Sequence, residues 1–550
     1  LRHPALLKRS DFLWLLPTGL ALGAVLGLLG PGAFLPGFLA FSLLSITGLL
    51  ILKVGWRLGR GGKTLAWVLA LAFALRLGLG VGAYVLEPLI GYDNETNRAG
   101  YLFTDAFVRD GQAWELAQSP NSLLTAFDEK LLSDQYGGLL WVSALLYRYL
   151  SPDAHRPLLV TLLAAWFGAL GVAFVWATAK RLSGESSARV AAIVFAFYPE
   201  SILQGAAQMR EPFLMTFVAV AFYGLVEWQA LQNSEVSKSY PDDKKQFAKT
   251  SEFYSPWLWM ALALAGMFLV SPGFILVTLV VSGGWLYFSE DRSLPWQVIL
   301  VALGVFVVAF IALSLSWESL VAVQGGGPLG VVGNWARETV KWNQQLLKSG
   351  SGIVQLVFEN VPAVLHLPFV AVYGLLQPVL PAVVFEPSVP FWQILGTLRS
   401  LGWYALLPVL AYAPFAASGI DGLEKRRWLW LALAVWAWAL IASLRGGADQ
   451  WDNPRYRVIL LAWQALVAAQ VFLLLKQGRG RWLLRILVVE AVLLVVFTHW
   501  YMYRYLGIGF NIGIRNTLAL ALGVSTLLVV CDWVVEKLRQ KRNRPQSTDP

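Results

Sequence analysis

Residues 157–181 read PLLVTLLAAWFGALGVAFVWATAKR. From 157 to 179 there is no charged residue, and Lys180-Arg181 close the run. About 20 apolar residues in a helix cross the ~30 Å hydrocarbon core of a bilayer. A cationic pair just beyond such a run marks a cytoplasmic flank. The stretch is therefore read as a membrane-spanning helix, and the rest of the chain is read by how often it repeats the pattern.

It repeats often. Apolar runs lie near 12–30, 34–54, 64–88, 157–179, 189–207, 212–230, 257–271, 273–288, 296–316, 395–417, 428–444, 458–475, 482–499 and 516–535. The expected fold is an all-α polytopic membrane protein with about 14 transmembrane helices. Composition agrees, with 57% hydrophobic and 14% charged residues among 550, where a soluble domain carries roughly 25% charged. A mean hydropathy of +0.59 excludes a water-soluble globule of this length. The net charge of +10 does not point to nucleic acid, because the basic residues gather between apolar runs. A single cysteine, Cys531, excludes an internal disulfide, and His3, His155, His366 and His499 lack zinc-ligand spacing. The opening LRHPALLKRS precedes an apolar run with no small-residue cleavage site, so the first span is expected to be retained.

Alternate connections carry the positive charge. They hold Lys53, Arg57, Arg60 and Lys63; Lys180, Arg181 and Arg189; Lys238, Lys244, Lys245 and Lys249; Lys425, Arg426 and Arg427; Lys476, Arg479 and Arg481. With both termini cytoplasmic, every one of these faces the inside, which requires an even number of spans in the plasma (inner) membrane. Residues 362–390 are apolar but broken by Pro362, Pro368, Pro378, Pro381 and Pro387. A full span there would invert everything downstream, so a re-entrant or interfacial segment buried in protein is expected.

The opposite connections (89–156, the corner near 198–212, 317–394, 445–457 and 500–515) are richer in aromatic and acidic residues. In the first, Asp105 and Asp110 precede the stripe Ala113, Trp114, Leu116 and Ala117, which predicts an amphipathic helix on the outer surface. Helix capping is the plain use of either Asp. Asp134-Gln135-Tyr136 open a second such helix. The corner YPESILQGAAQMREPFL brings Arg210 and Glu211 to the start of a span, where they need solvent or a partner. The later corner RGGADQWDNPRYRVILL holds Arg445, Arg455 and Arg457 against the positive-inside bias. Arginine grips phosphate through paired hydrogen bonds, so Arg210, Arg455 and Arg457 are candidate phosphate ligands. Neutralisation by Asp449 and Asp452 is the structural alternative.

These loops, in this order, resemble the GT-C superfamily of membrane glycosyltransferases. In particular they resemble its bacterial family 39-like branch, related to the protein mannosyltransferases and aminoarabinose transferases. RDGQAWELA at 109–117 resembles the D-[EG]-x-x-[YW]-x-x-x-A pattern within one position. The run from Asp134 to Gly184 is similar to the family's juxtamembrane helix and next span, with Gly137-Gly138 in place of a double proline. PRYRVILLAWQALVAAQ at 454–470 resembles its late "RYRxPxxP" span. The likeness covers about 64–230 and 425–475.

The resemblance implies two additional N-terminal helices (1–63) and a GT-C-like core (64–316) with a catalytic first outer loop (89–156). An outer loop (317–394), C-terminal spans (395–535) and a basic tail (536–550) follow. It implies a polyprenyl-phosphate sugar donor and a glycan, lipid or protein acceptor. Asp110 is then the expected general base, with Asp105 its rival. Glu211 and Asp134 would orient acceptor or base, and Tyr136 and Trp114 would stack on sugar. A divalent metal (Mg or Mn), if used, would sit between Asp110 and Glu211. A transporter or flippase of lipid-linked oligosaccharide, a glycan ligase or polymerase, and an accessory subunit are the alternatives. A transporter needs charges deep in the spans, where Arg76 and Glu490 are the main cases.

Overall fold

The computed structural model describes residues 9–128, 136–236, 256–289 and 366–542, except 419, 421, 447, 448 and 479, together with the single positions 304, 355 and 359. Every regular element among the described residues is a helix. Nine of these helices are long and apolar enough to cross a membrane, or ten if one bent pair counts as a span. The protein is a multi-pass membrane protein. Apart from position 304, the expected span 296–316 lies outside the described residues.

The first two helices, α1 (Arg9–Leu29) and α2 (Phe34–Gly59), form a hairpin. Gly23 makes its close packing possible, because a Cβ there would meet the Ser42 backbone nitrogen at 2.7 Å. Lys53 pairs with Asp11 across the hairpin at 3.2 Å. Next come α3 (Gly62–Ile90), the short α4 (Glu95–Arg98), α5 (Thr104–Gln118) and α6 (Gly138–Leu150). The α5 helix is the predicted amphipathic one, and it buries Ala106, Ala113, Leu116 and Ala117. Arg148 of α6 donates to the carbonyls of Leu116, Ala117 and Ser119, closing the exposed end of α5 with a cation.

The element α7 (Leu158–Phe197) holds the span expected at 157–179 and the first part of the one expected at 189–207. Its backbone breaks at Gly184, at φ 82° and ψ −174°. A Cβ on Gly171 would lie 2.7 Å from the Phe195 ring. In a straight helix those residues would stand about 36 Å apart, so the chain folds back at Gly184. That conformation is open to glycine alone. The returning limb breaks again at Tyr198 and resumes as α8 (Pro199–Gly205). This second break frees helix-end carbonyls inside the bundle. Buried Arg76 of α3 satisfies them, donating to Phe195 O, Ala196 O and Ser201 Oγ.

Beyond α9 (Glu211–Val236) stand α10 (Pro256–Val270) and α11 (Gly273–Tyr287), each 15 residues long. The described part of 362–390 is two short helices, α12 (His366–Leu376) and α13 (Leu380–Phe385). At 11 and 6 residues, neither is long enough to span. The carbonyls exposed between them are filled from inside the protein: Trp403 Nε1 donates to Leu375 O at 2.8 Å and Arg457 Nη2 to Gln377 O at 2.9 Å. Then follow α14 (Pro390–Ser418), α15 (Gly422–Gly446), α16 (Asp452–Val458) and α17 (Leu461–Lys476), with α16 and α17 bent by 71°. The last two are α18 (Arg481–Leu506) and α19 (Ile514–Arg542), and α19 continues helically into the expected tail. The core runs along α7, α9 and α17, around the buried rings of Trp176, Trp285 and Trp463. In contrast α18 and α19 are mostly exposed and present apolar faces suited to lipid.

Candidate active site

One end of the bundle gathers the start of α5, the corner between α8 and α9, and the start of α16. A small core of Leu102, Ala106, Leu203, Met209 and Trp392 ties them together. Each element delivers a carboxylate. Asp105 lies in the first turn of α5, Glu211 in the first turn of α9 and Asp452 in the first turn of α16. Anions are favoured at all three positions by the helix dipole.

All three converge on Arg455. Its Nε donates to Glu211 Oε1 at 2.6 Å and its Nη1 to Asp105 Oδ2 at 2.8 Å, with Asp452 Oδ1 3.6 Å away. Among the described residues nothing accepts from Nη2. The surroundings of the carboxylates differ. The side chain of Glu211 is 2% exposed and that of Asp105 56%. The second oxygen of Glu211, Oε2, is buried and has no hydrogen-bond partner among the described residues. The neutralising partner considered from sequence, Asp449, instead accepts from the backbone nitrogens of Trp451 and Asp452, capping α16.

Asp110 belongs to a second network. Tyr101 donates to its Oδ2 at 2.6 Å, Tyr147 to its Oδ1 at 2.5 Å, and His155 Nε2 lies 2.8 Å from Oδ2. The carboxylate is wholly enclosed, while the His155 side chain is 30% exposed. Trp114 stacks on the imidazole with ring centres 5.2 Å apart. Burial and the neighbouring carboxylate raise both phenol pKa values above the ordinary range, so Tyr101 and Tyr147 stay protonated donors. A small cleft between α3, the loop before α5 and the corner 206–208 shares Tyr101 as a wall.

The remaining sequence candidates separate. Arg210 lies over the Tyr136 ring at 5.5 Å. Arg457 is buried, stacked 3.4 Å from Trp403 and bonded to the backbone carbonyls of the α12–α13 junction. Trp114 is half-buried and stacks on His155. Asp134 lies outside the described residues. Sequence reasoning missed Tyr101, Tyr147 and His155, whose spacing from Asp110 gives no local signal. It also missed the buried pair Arg399–Glu200 at 2.6 Å.

Among the described residues, no three His, Cys, Asp or Glu are grouped to hold a metal ion. The pair suggested for Mg or Mn does not fit: Asp110 is engaged by phenols and imidazole, and Glu211 by Arg455. Where carboxylates do converge, the cation between them is a guanidinium.

No family model matches the chain, and no curated protein does. Among solved structures it is similar to the archaeal oligosaccharyltransferase AglB from Archaeoglobus fulgidus, in complex with an inhibitory peptide and a dolichol-phosphate. Identity is 14% and the TM-score 0.39, over 86% of this chain. The chain spans about half the length of that protein, 54%.

Proposed function

We propose that this protein is a membrane glycosyltransferase. In this reading it moves a sugar from a polyprenyl-phosphate carrier to a glycan, lipid or protein acceptor at the outer face of the membrane. The observation that carries the reading is Arg455 ringed by Asp105, Glu211 and Asp452.

Three carboxylates around one guanidinium form an anionic group with a cation at its centre. Glycosyl transfer needs both signs. The sugar develops oxocarbenium character, which negative charge stabilises, and the departing phosphate gains negative charge, which cations stabilise. Exposed Asp105 faces the first need. Arg455, through Nη2, and Arg210, beside Glu211, meet the second. The transporter alternative loses one of its two in-span charges, because Arg76 is engaged by backbone carbonyls.

The test is donor cleavage in proteoliposomes loaded with a polyprenyl-phosphate sugar. Asp105→Asn and Arg455→Lys are each expected to lower kcat by about 10²–10³-fold. Unchanged turnover in both variants would sink the reading. Movement of intact donor across the bilayer without cleavage would replace it with transport.

A further inference from the structure

A wholly enclosed carboxylate, already accepting hydrogen bonds on both oxygens, cannot be reached by a substrate hydroxyl. That is the state of Asp110. Its one partly exposed partner is His155. With Asp110 accepting at Nε2, the imidazole proton is held on Nε2, and the lone pair lies on Nδ1. Among the described residues, Nδ1 has no hydrogen-bond partner. The ring is fixed on one side by stacking on Trp114 and edge-on by Tyr147. The turn beneath it is braced by Arg156, which donates to Ser151 Oγ, to Asp153 and to Ala33 O.

We infer that His155 is the group that removes the acceptor's proton, and that Asp110 is its positioning residue. The inference rests on the transferase reading above. The acceptor hydroxyl gives its proton to His155 Nδ1, and its oxygen bonds to the anomeric carbon. The bond from that carbon to the carrier phosphate breaks, with the electron pair leaving on the phosphate oxygen. The imidazolium formed is stabilised by its hydrogen bond to Asp110 and later returns its proton to water. The charged and titratable groups facing His155 are Asp110 of α5 and Tyr147 of α6. Tyr101 shares the carboxylate, and the Asp153–Arg156 pair lies in its own turn.

The test uses the full chain in proteoliposomes with a polyprenyl-phosphate sugar. His155→Gln is expected to lower kcat by about 10²–10⁴-fold and to abolish the acidic limb of the pH–rate profile. His155→Ala is expected to be partly restored by added imidazole, a rescue that a purely structural role would not show. In the labelled wild type, ¹⁵N NMR of His155 is expected to show the Nε2–H form, lost in Asp110→Asn. A His155→Gln enzyme with full turnover and an unchanged pH profile overturns the inference and leaves the transferase reading standing. A wild type that cleaves no such donor overturns both.

Discussion

Asp105 and Asp110 stand on one helix, five residues apart, in opposite surroundings. Asp105 is mostly exposed and shares a guanidinium with two other carboxylates. Asp110 is enclosed by two phenols and an imidazole. The same side chain becomes an electrostatic group at one place and a fixed anchor at the other. What separates them is which neighbours remove water. Around Asp105 the partners come from α9 and α16 and leave one side open. Around Asp110 they come from α6 and the turn before α7 and close it.

The largest expected effect breaks the ionic end. Arg455→Ala leaves Glu211 ionised and buried without a partner, so a loss of about 3–5 kcal/mol is expected in thermal or denaturant unfolding of the purified protein. Combining it with Glu211→Gln removes the orphaned charge and should recover most of that loss. A double variant as unstable as the single one would show that the pair is not the source.

The next effect sharpens the contrast itself. Asp110→Ala strands two buried phenols, at about 1–3 kcal/mol per unsatisfied group. Asp105→Ala removes an exposed partner and should cost under about 1 kcal/mol. Equal destabilisation of the two variants would erase the distinction drawn between them.

The smallest effect appears at high pH. Both phenols have folded pKa values raised above the ordinary 10.0. Their contribution is therefore complete below about pH 10 and is lost as pH rises above it, because the unfolded chain releases those protons first. Stability between about pH 9 and pH 11 should fall more steeply in the wild type than in the Tyr101→Phe, Tyr147→Phe double variant.

Much of the helical pattern was legible beforehand, because a span must supply all its own backbone hydrogen bonds and so writes a continuous apolar run. The expected α7 limbs, the α5 stripe and the proline-broken segment before α14 all have that local character. The site was legible in part. Asp105 was singled out because it opens an amphipathic outer helix, Glu211 because charge at the start of a span is costly, and Arg455 because it stands against the positive-inside bias. Arg457 carried the same signal as Arg455 and proved to bond backbone carbonyls, since that bias does not say which acceptor an arginine meets.

From composition and spacing alone come the membrane class, the multi-pass helical architecture and the short list of charged residues that must find partners. Those follow from local rules of hydration and backbone satisfaction. Which partner each charge finds was decided by tertiary structure. Arg455 meets residues more than two hundred positions away, and Asp110 meets a histidine forty-five positions on. Such contacts depend on where helices cross, and crossings are set by packing between segments that carry no mark of each other in the chain.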